Sequence, residues 1–286
     1  MWLSQLIGAL LVGMFTSAAL AGEGRLLATG GASSIEGPAG GGITPWAVLS
    51  GYGEKGEWGA DVFATRVETG DYRLDVAGVS AAYDNRIELS YARQRFDLGT
   101  LARDLSLPEN SLSQDIFGIK VRLFGDLIYD QLPQVSLGIQ HKRQKDFLIP
   151  SLVGAKRDED TEGYLTASRL ILGGAFGYNL LLNGGVRYSR ANELGLLGFG
   201  GDRRDRRSVL KEGSVAVLLN REWAVGAEYR EKPDNLSFAG ESDWADLFVG
   251  YFPSKHLAIV LAYARLGEIA TLDNQNGAYL SVQGSF

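Results

Sequence analysis

The last nine residues, Ala278-Tyr279-Leu280-Ser281-Val282-Gln283-Gly284-Ser285-Phe286, decide the fold class. Successive strand side chains point to opposite sides, so Ala278, Leu280, Val282, Gly284 and Phe286 share one face of an extended chain. Tyr279, Ser281, Gln283 and Ser285 share the other. One face suits an apolar medium and the other a polar one. The same period recurs upstream. Trp223, Val225, Ala227 and Tyr229 alternate with Ala224, Gly226, Glu228 and Arg230. Phe117, Ile119, Val121 and Leu123 alternate with Gly118, Lys120 and Arg122. Val135, Leu137 and Ile139 alternate with Ser136, Gly138 and Gln140. Tyr178, Leu180, Leu182, Val186 and Tyr188 lie opposite Asn179, Asn183 and Arg187.

Fourteen strands are predicted, at 24–34, 43–52, 57–67, 72–83, 86–96, 113–124, 132–143, 161–172, 178–190, 207–218, 223–231, 243–252, 257–266 and 278–286. Each is about ten residues, the length of a tilted strand that crosses the hydrocarbon layer. Segments 72–83 and 161–172 alternate less cleanly and suggest a bulge in each. The connections carry a second signal. Apart from 68–71, every second one is long: 97–112, 144–160, 191–206, 232–242 and 267–277. Outer-membrane barrels show this asymmetry between periplasmic turns and extracellular loops, and a soluble sandwich has no reason to keep it. With Phe286 at the periplasmic rim, strand 43–52 must descend, so 24–34 is required to bring the chain up first. The expected fold is an all-β, antiparallel, up-and-down transmembrane β-barrel of about fourteen strands, with twelve as the alternative. Trp58, Trp223, Tyr83, Tyr251, Phe252, Trp46 and Trp244 sit near strand ends, where interfacial girdles are expected.

The N-terminus reads separately. Leu6 to Phe15 is an unbroken apolar run, and Ala19-Leu20-Ala21 is a small-x-small cleavage site, although Met1 to Gln5 holds no Lys or Arg. Residues 1–21 are therefore expected to be a signal peptide and 22–286 the barrel domain. The expected destination is the cell outer membrane, reached through the periplasm. The longest later apolar run, Leu257 to Ala264, is too short to cross as a helix.

Composition excludes other classes. The 38 glycines in 286 residues are roughly twice ordinary usage, without a collagen period. A hydrophobic fraction of 45% opposes wholesale disorder. Zero cysteines exclude a disulfide framework and thiol catalysis. A net charge of -6 argues against a nucleic-acid partner.

Five runs, LLATGG (26–31), ELSYARQRFD (88–97), NELGLLGFGGD (192–202), AVGAEYREKPDNL (224–236) and IATLDNQNG (269–277), resemble a proteobacterial outer-membrane family of unknown function, numbered 3034. The resemblance covers nearly all of the chain beyond the signal segment. It implies a β-barrel and assigns no activity.

Little catalytic chemistry is legible. The two histidines, His141 and His256, are isolated from any Ser-His motif, and two such residues make a zinc site improbable. No enzyme, cofactor or metal is expected. Gly195, Gly198, Gly200 and Gly201 lack the spacing of a nucleotide loop and suggest a flexible extracellular loop. Asp202 to Arg207 is the densest charge run. Arg203, Arg204, Arg206 and Arg207 either contact phosphates of lipopolysaccharide or form a solvated, self-paired loop.

The informative set lies opposite the apolar positions: Glu88, Gln94, Lys120, Arg122, Gln140, Lys142, Arg187, Glu212, Glu228, Arg230 and Asp246, with Ser90, Asn183 and Ser214 beside them. A charge facing lipid costs a few kcal/mol, so these should line the lumen. A barrel of this size lies between the filled eight-stranded and the open sixteen-stranded case. The expected function is a passive pore for small polar solutes, its mouth narrowed by loops 97–112, 144–160 and 191–206. The alternative is a closed structural or surface-interaction barrel that contacts lipopolysaccharide or a partner. The third reading is a carrier of apolar compounds, disfavoured by the charged inner face and by the lack of a plug domain before the first strand. The expected partners are outer-membrane lipid, lipopolysaccharide and the barrel-assembly machinery.

Overall fold

The structure, a computed structural model, describes residues 25–104 and 108–286. The expected signal peptide lies outside the described residues. Two short strands, β1 (Ala32–Ser33) and β2 (Ala39–Gly40), pair with each other. Twelve longer strands form the wall: β3 (Trp58–Thr69), β4 (Arg73–Tyr83), β5 (Ile87–Asp97), β6 (Ser111–Phe124), β7 (Gln134–Gln144), β8 (Glu159–Ala175), β9 (Tyr178–Ser189), β10 (Ser208–Leu218), β11 (Trp223–Arg230), β12 (Trp244–Ser254), β13 (Leu257–Arg265) and β14 (Asn276–Ser285). Each pairs antiparallel with its sequence neighbours, and β14 closes on β3 with Leu280 opposite Arg66 and Val282 opposite Ala64. Closure leaves no unpaired edge in the membrane, which is why strands can cross it at all.

The alternation expected from sequence sets the wall. Leu280, Trp223, Tyr229, Phe117, Ile119, Leu137 and Ile139 are exposed outward, while Tyr279, Ser281, Glu228, Arg230, Lys120 and Gln140 are buried inside. At the rim where the chain ends, Trp58 packs on Tyr83 at 4.9 Å and Trp223 stacks on Tyr251 at 4.4 Å. These aromatic pairs belong to the interfacial girdle. Trp46, Trp244 and Phe252 do not: all three are buried inside the barrel. The pairing of β4 is regular on both sides, so the bulge expected in 72–83 is absent. The register of β8 against β9 shifts at Ile171/Ala175, near the end of the other suspect segment. Replacing Ile119 by arginine, mid-strand on the lipid face, is expected to weaken folding into lipid by ~2–4 kcal/mol, read by urea titration of refolding into vesicles.

The count of fourteen is corrected to twelve. The described part of segment 24–34, and all of 43–52, are not wall strands; residues 28–34 and 43–52 lie inside the lumen, within the buried stretch 28–53. They form a folded-back hairpin: Ile35 N–H donates to Gly42 O, Trp46 N–H to Ala39 O and Gly41 N–H to Thr44 O. The chain does rise and descend before β3, as the parity argument requires, but within the barrel. A chain of Gly, Ala and Ser with few bulky apolar side chains has little to offer lipid. Its backbone must then find partners elsewhere.

Candidate functional site

The interior of the barrel is the site, and its lower layer is built around the backbone of residues 28–53. Nine wall strands, β3 to β11, reach it. Gln94 donates to Ile35 O at 2.7 Å, and Lys120 to Ala39 O at 2.9 Å. Gln134 and Ser136 both donate to Ala47 O at 2.6 Å, and Ala47 N–H donates to Ser168. Asn183 donates to Pro45 O. Glu228 accepts from Ile43 N–H and from the Thr44 hydroxyl, and Ser214 lies 2.7 Å from that hydroxyl. Ser50 bonds Ser80 and Glu88, and Gly51 N–H donates to Asp61. An unpaired backbone group in a dry interior costs several kcal/mol, so this set of partners fixes the hairpin as an internal plug. The plug that the sequence seemed to lack is its own first described segment.

A charged layer holds the hairpin tip. Glu36 lies 2.8 Å from Arg230 and 3.3 Å from Arg187, and its other oxygen contacts Lys142. Lys142 also meets Glu162 at 2.6 Å. Arg187 pairs with Glu162 and, at 2.5 Å, with Glu212, which lies 3.3 Å from Arg230. Three cations and three carboxylates are thus buried together, at 6% exposure or less. Close packing fits this layer as well. A Cβ added at Gly41 would stand 1.9 Å from Glu228 Oε1. Gly41→Ala is expected to cost ~1–3 kcal/mol through overpacking, whereas Gly70→Ala, with open space around it, should leave the refolding midpoint unchanged.

Above the tip the interior is apolar. Ile35 and Ile43 meet Val67, Leu74, Phe96, Leu196, Trp244 and Ile269 around a small cavity. Loop residues 191–201 close this layer from the long-loop side and are all buried. Leu194 O accepts from Lys142 at 3.1 Å, and Leu196 O from Gln144 at 3.4 Å. Gly195, expected in a flexible loop, has φ +106°, and a Cβ there would lie 2.6 Å from Gln114. These glycines serve tight docking.

The loop is latched by charge. Lys232 lies 2.7 Å from Glu193 and 3.2 Å from Glu241, and its ammonium sits 4.9 Å over the Trp244 ring. Glu193 carries φ 42°, an uncommon left-handed conformation for a non-glycine residue. Burial, and then the neighbouring Glu193 carboxylate, push Glu241 up to about 8. A carboxyl raised on folding favours the docked loop most strongly below its unfolded pKa, and loses that contribution as pH rises toward 8. Protection of the 191–201 amides, relative to the intrinsic exchange rate at each pH, is therefore expected to be greatest below the ordinary carboxyl pKa and to fall as pH rises toward 8.

The structure brings Gln94, Gln140, Lys142, Arg187, Glu212, Glu228 and Arg230 together around the plug, and Glu88 with Lys120 at 3.2 Å below them. Asp246 is buried beside Glu228 in the neighbouring strand. Arg122 stands apart, at the mouth near the chain end, bonded to Gly125 O and Asp126. Arg203 pairs with Asp234 and Arg207 with Asp160, while Arg206 is exposed and Arg204 half-buried. His141 faces outward, 3.1 Å from the Thr161 hydroxyl, and His256 bonds Ser285 O in a turn. Sequence reasoning missed Glu36, the one carboxylate of the plug. Its signal was a lone acidic residue in a segment of small residues.

The profile of the family described as "Protein of unknown function (DUF3034)" matches residues 29–283. The chain belongs to that family. Among solved structures it is similar to the KdgM porin in complex with disordered oligogalacturonate, at 10% identity and a TM-score of 0.51, over 79% of this chain and 99% of that one. It is also similar to an outer membrane channel from Pseudomonas putida F1, at 10% identity and a TM-score of 0.45, over 81% and 95% of the two chains. The outer membrane phospholipase A from Escherichia coli matches at 9% identity and a TM-score of 0.38, over 83% and 93%. No curated protein matches the chain. A closed barrel with an apolar outer belt and aromatic rims is an outer-membrane barrel, and the chain resides in that membrane.

Proposed function

We propose that this member of the family is a plugged channel for small polar solutes, closed at rest by residues 28–53. The observation that carries the reading is the hydrogen-bonded seat of that hairpin on nine wall strands. Side chains that would line a wet lumen instead bind the plug backbone, so diffusion requires the plug to shift. Once it shifts, Glu88, Gln94, Lys120, Gln140, Lys142, Arg187, Glu212, Glu228, Arg230 and Asp246 would face water, with Arg122 at the periplasmic mouth. No catalytic residue is assigned. In this reading lipopolysaccharide phosphates would be met by Arg204 and Arg206 of the charge run, since Arg203 and Arg207 are engaged by acids. Insertion would proceed through the barrel-assembly machinery.

A second reading, a closed structural barrel, is favoured by the inward fold of loop 191–201. Planar-bilayer recording separates the two. The chain holds no cysteine, so a Ser50→Cys/Ser80→Cys pair, whose hydroxyls lie 2.7 Å apart, can lock the plug to β4. The plugged channel predicts brief openings in the native protein. It predicts that oxidation of the double variant abolishes them and that reduction restores them. Openings indifferent to the lock would place the path elsewhere. Permanent silence, in the reduced state as well, would establish the closed barrel.

A further inference from the structure

We infer that the position held by the Glu36 carboxylate is a binding site for a carboxylate-bearing solute, which competes with the plug for Lys142, Arg187 and Arg230. The inference rests on the plugged-channel reading for its function, though the site itself can be tested without it. Of the three carboxylates in the buried cluster, Glu162 and Glu212 belong to wall strands β8 and β10. Glu36 alone is carried by a segment outside the wall. If the hairpin withdraws, three cations remain with two acids. Withdrawal gives up the three ion pairs of Glu36 and leaves the wall with one unmatched positive charge, so withdrawal by itself is opposed.

An incoming carboxylate removes that opposition. It restores the charge balance, and its two oxygens can take the places of the two Glu36 oxygens, one beside Lys142 and one between Arg187 and Arg230. Guanidinium groups suit a planar anion of this shape. A neutral sugar or a cation offers no such exchange. Binding energy available only in the open state shifts the population toward it. The expected solute is therefore a small organic acid or an acidic sugar rather than any polar solute, and Glu36 acts as its tethered mimic.

Two measurements on the full chain test this. In Glu36→Ala, a vacated carboxylate site should accept acetate. The midpoint of heat-induced unfolding in detergent should rise saturably with acetate at constant ionic strength. Acetate should act at concentrations at least about tenfold below those of acetamide, a difference of ~1.4 kcal/mol, with chloride replacement as the ionic control. No advantage of acetate over acetamide overturns the site. If Glu36→Ala does not fold, native protein serves: glucuronate should lengthen bilayer openings and glucose should not. Equal effects of the two overturn the solute class, while a plug that opens under either preserves the channel reading. Acetate rescue in a protein that never conducts supports the site and defeats the channel reading alone.

Discussion

Arg187→Met is expected to be among the most damaging single substitutions in the barrel, at ~3–5 kcal/mol of refolding free energy. The guanidinium meets Glu36, Glu162 and Glu212 and donates to Gln140 Oε1 at 2.6 Å. Its removal leaves three buried carboxylates with two cations. Arg187→Lys should recover only part of the loss, because one ammonium cannot reproduce a planar fork with several fixed donors. Urea-dependent refolding into lipid vesicles, followed by tryptophan fluorescence, gives the ranking. A loss within about 1 kcal/mol for methionine, the range of an exposed pair, would mean that this layer is wet.

The second large effect concerns Glu36. Glu36→Gln keeps the shape of the side chain and removes its charge, which leaves three cations facing two acids. The expected loss is again ~3–5 kcal/mol, unless the plug yields first. The two substitutions are not additive. With Arg187 and Glu36 both neutralised, Lys142 and Arg230 balance Glu162 and Glu212. The double variant should therefore be more stable than the sum of the single losses implies. Strict additivity would mean that the two side chains do not share one network.

Much of the wall was legible because strand alternation is a local property. Leu280 against Tyr279, or Ile119 against Lys120, reads the same in sequence and in structure. The parity of short and long connections also held, since it follows from how a barrel is inserted. What failed was the step from face to surroundings. Lys120, Gln134 and Ser136 point inward as polar residues should, yet they meet the backbone of Ala39 and Ala47 rather than water. A sequence shows which side a residue takes; what fills that side is a long-range fact. Segment 24–34 was placed in the wall by topology, on the premise that 43–52 was a wall strand, and neither carries the run of outward apolar positions that lipid demands. Phe96 and Ile116, on the inward side of their predicted strands, were a further clue that the lumen contains a packed layer, because apolar side chains gain nothing from lining water. Trp46 was misplaced for the same reason: its indole N–H donates to Ser214, inside the barrel.

A hairpin seated in the lumen brings residue 44 against β10, which disulfide trapping between Thr44→Cys and Ser214→Cys in outer membranes of intact cells can read. The two hydroxyl oxygens are 2.7 Å apart, on the plug and on β10. Two such positions can be bridged only where the backbones approach closely. Near-complete cross-linking is expected on mild oxidation, seen as a reductant-sensitive change in mobility of the boiled protein. A correctly folded, heat-modifiable barrel whose thiols at 44 and 214 stay unpaired would contradict it.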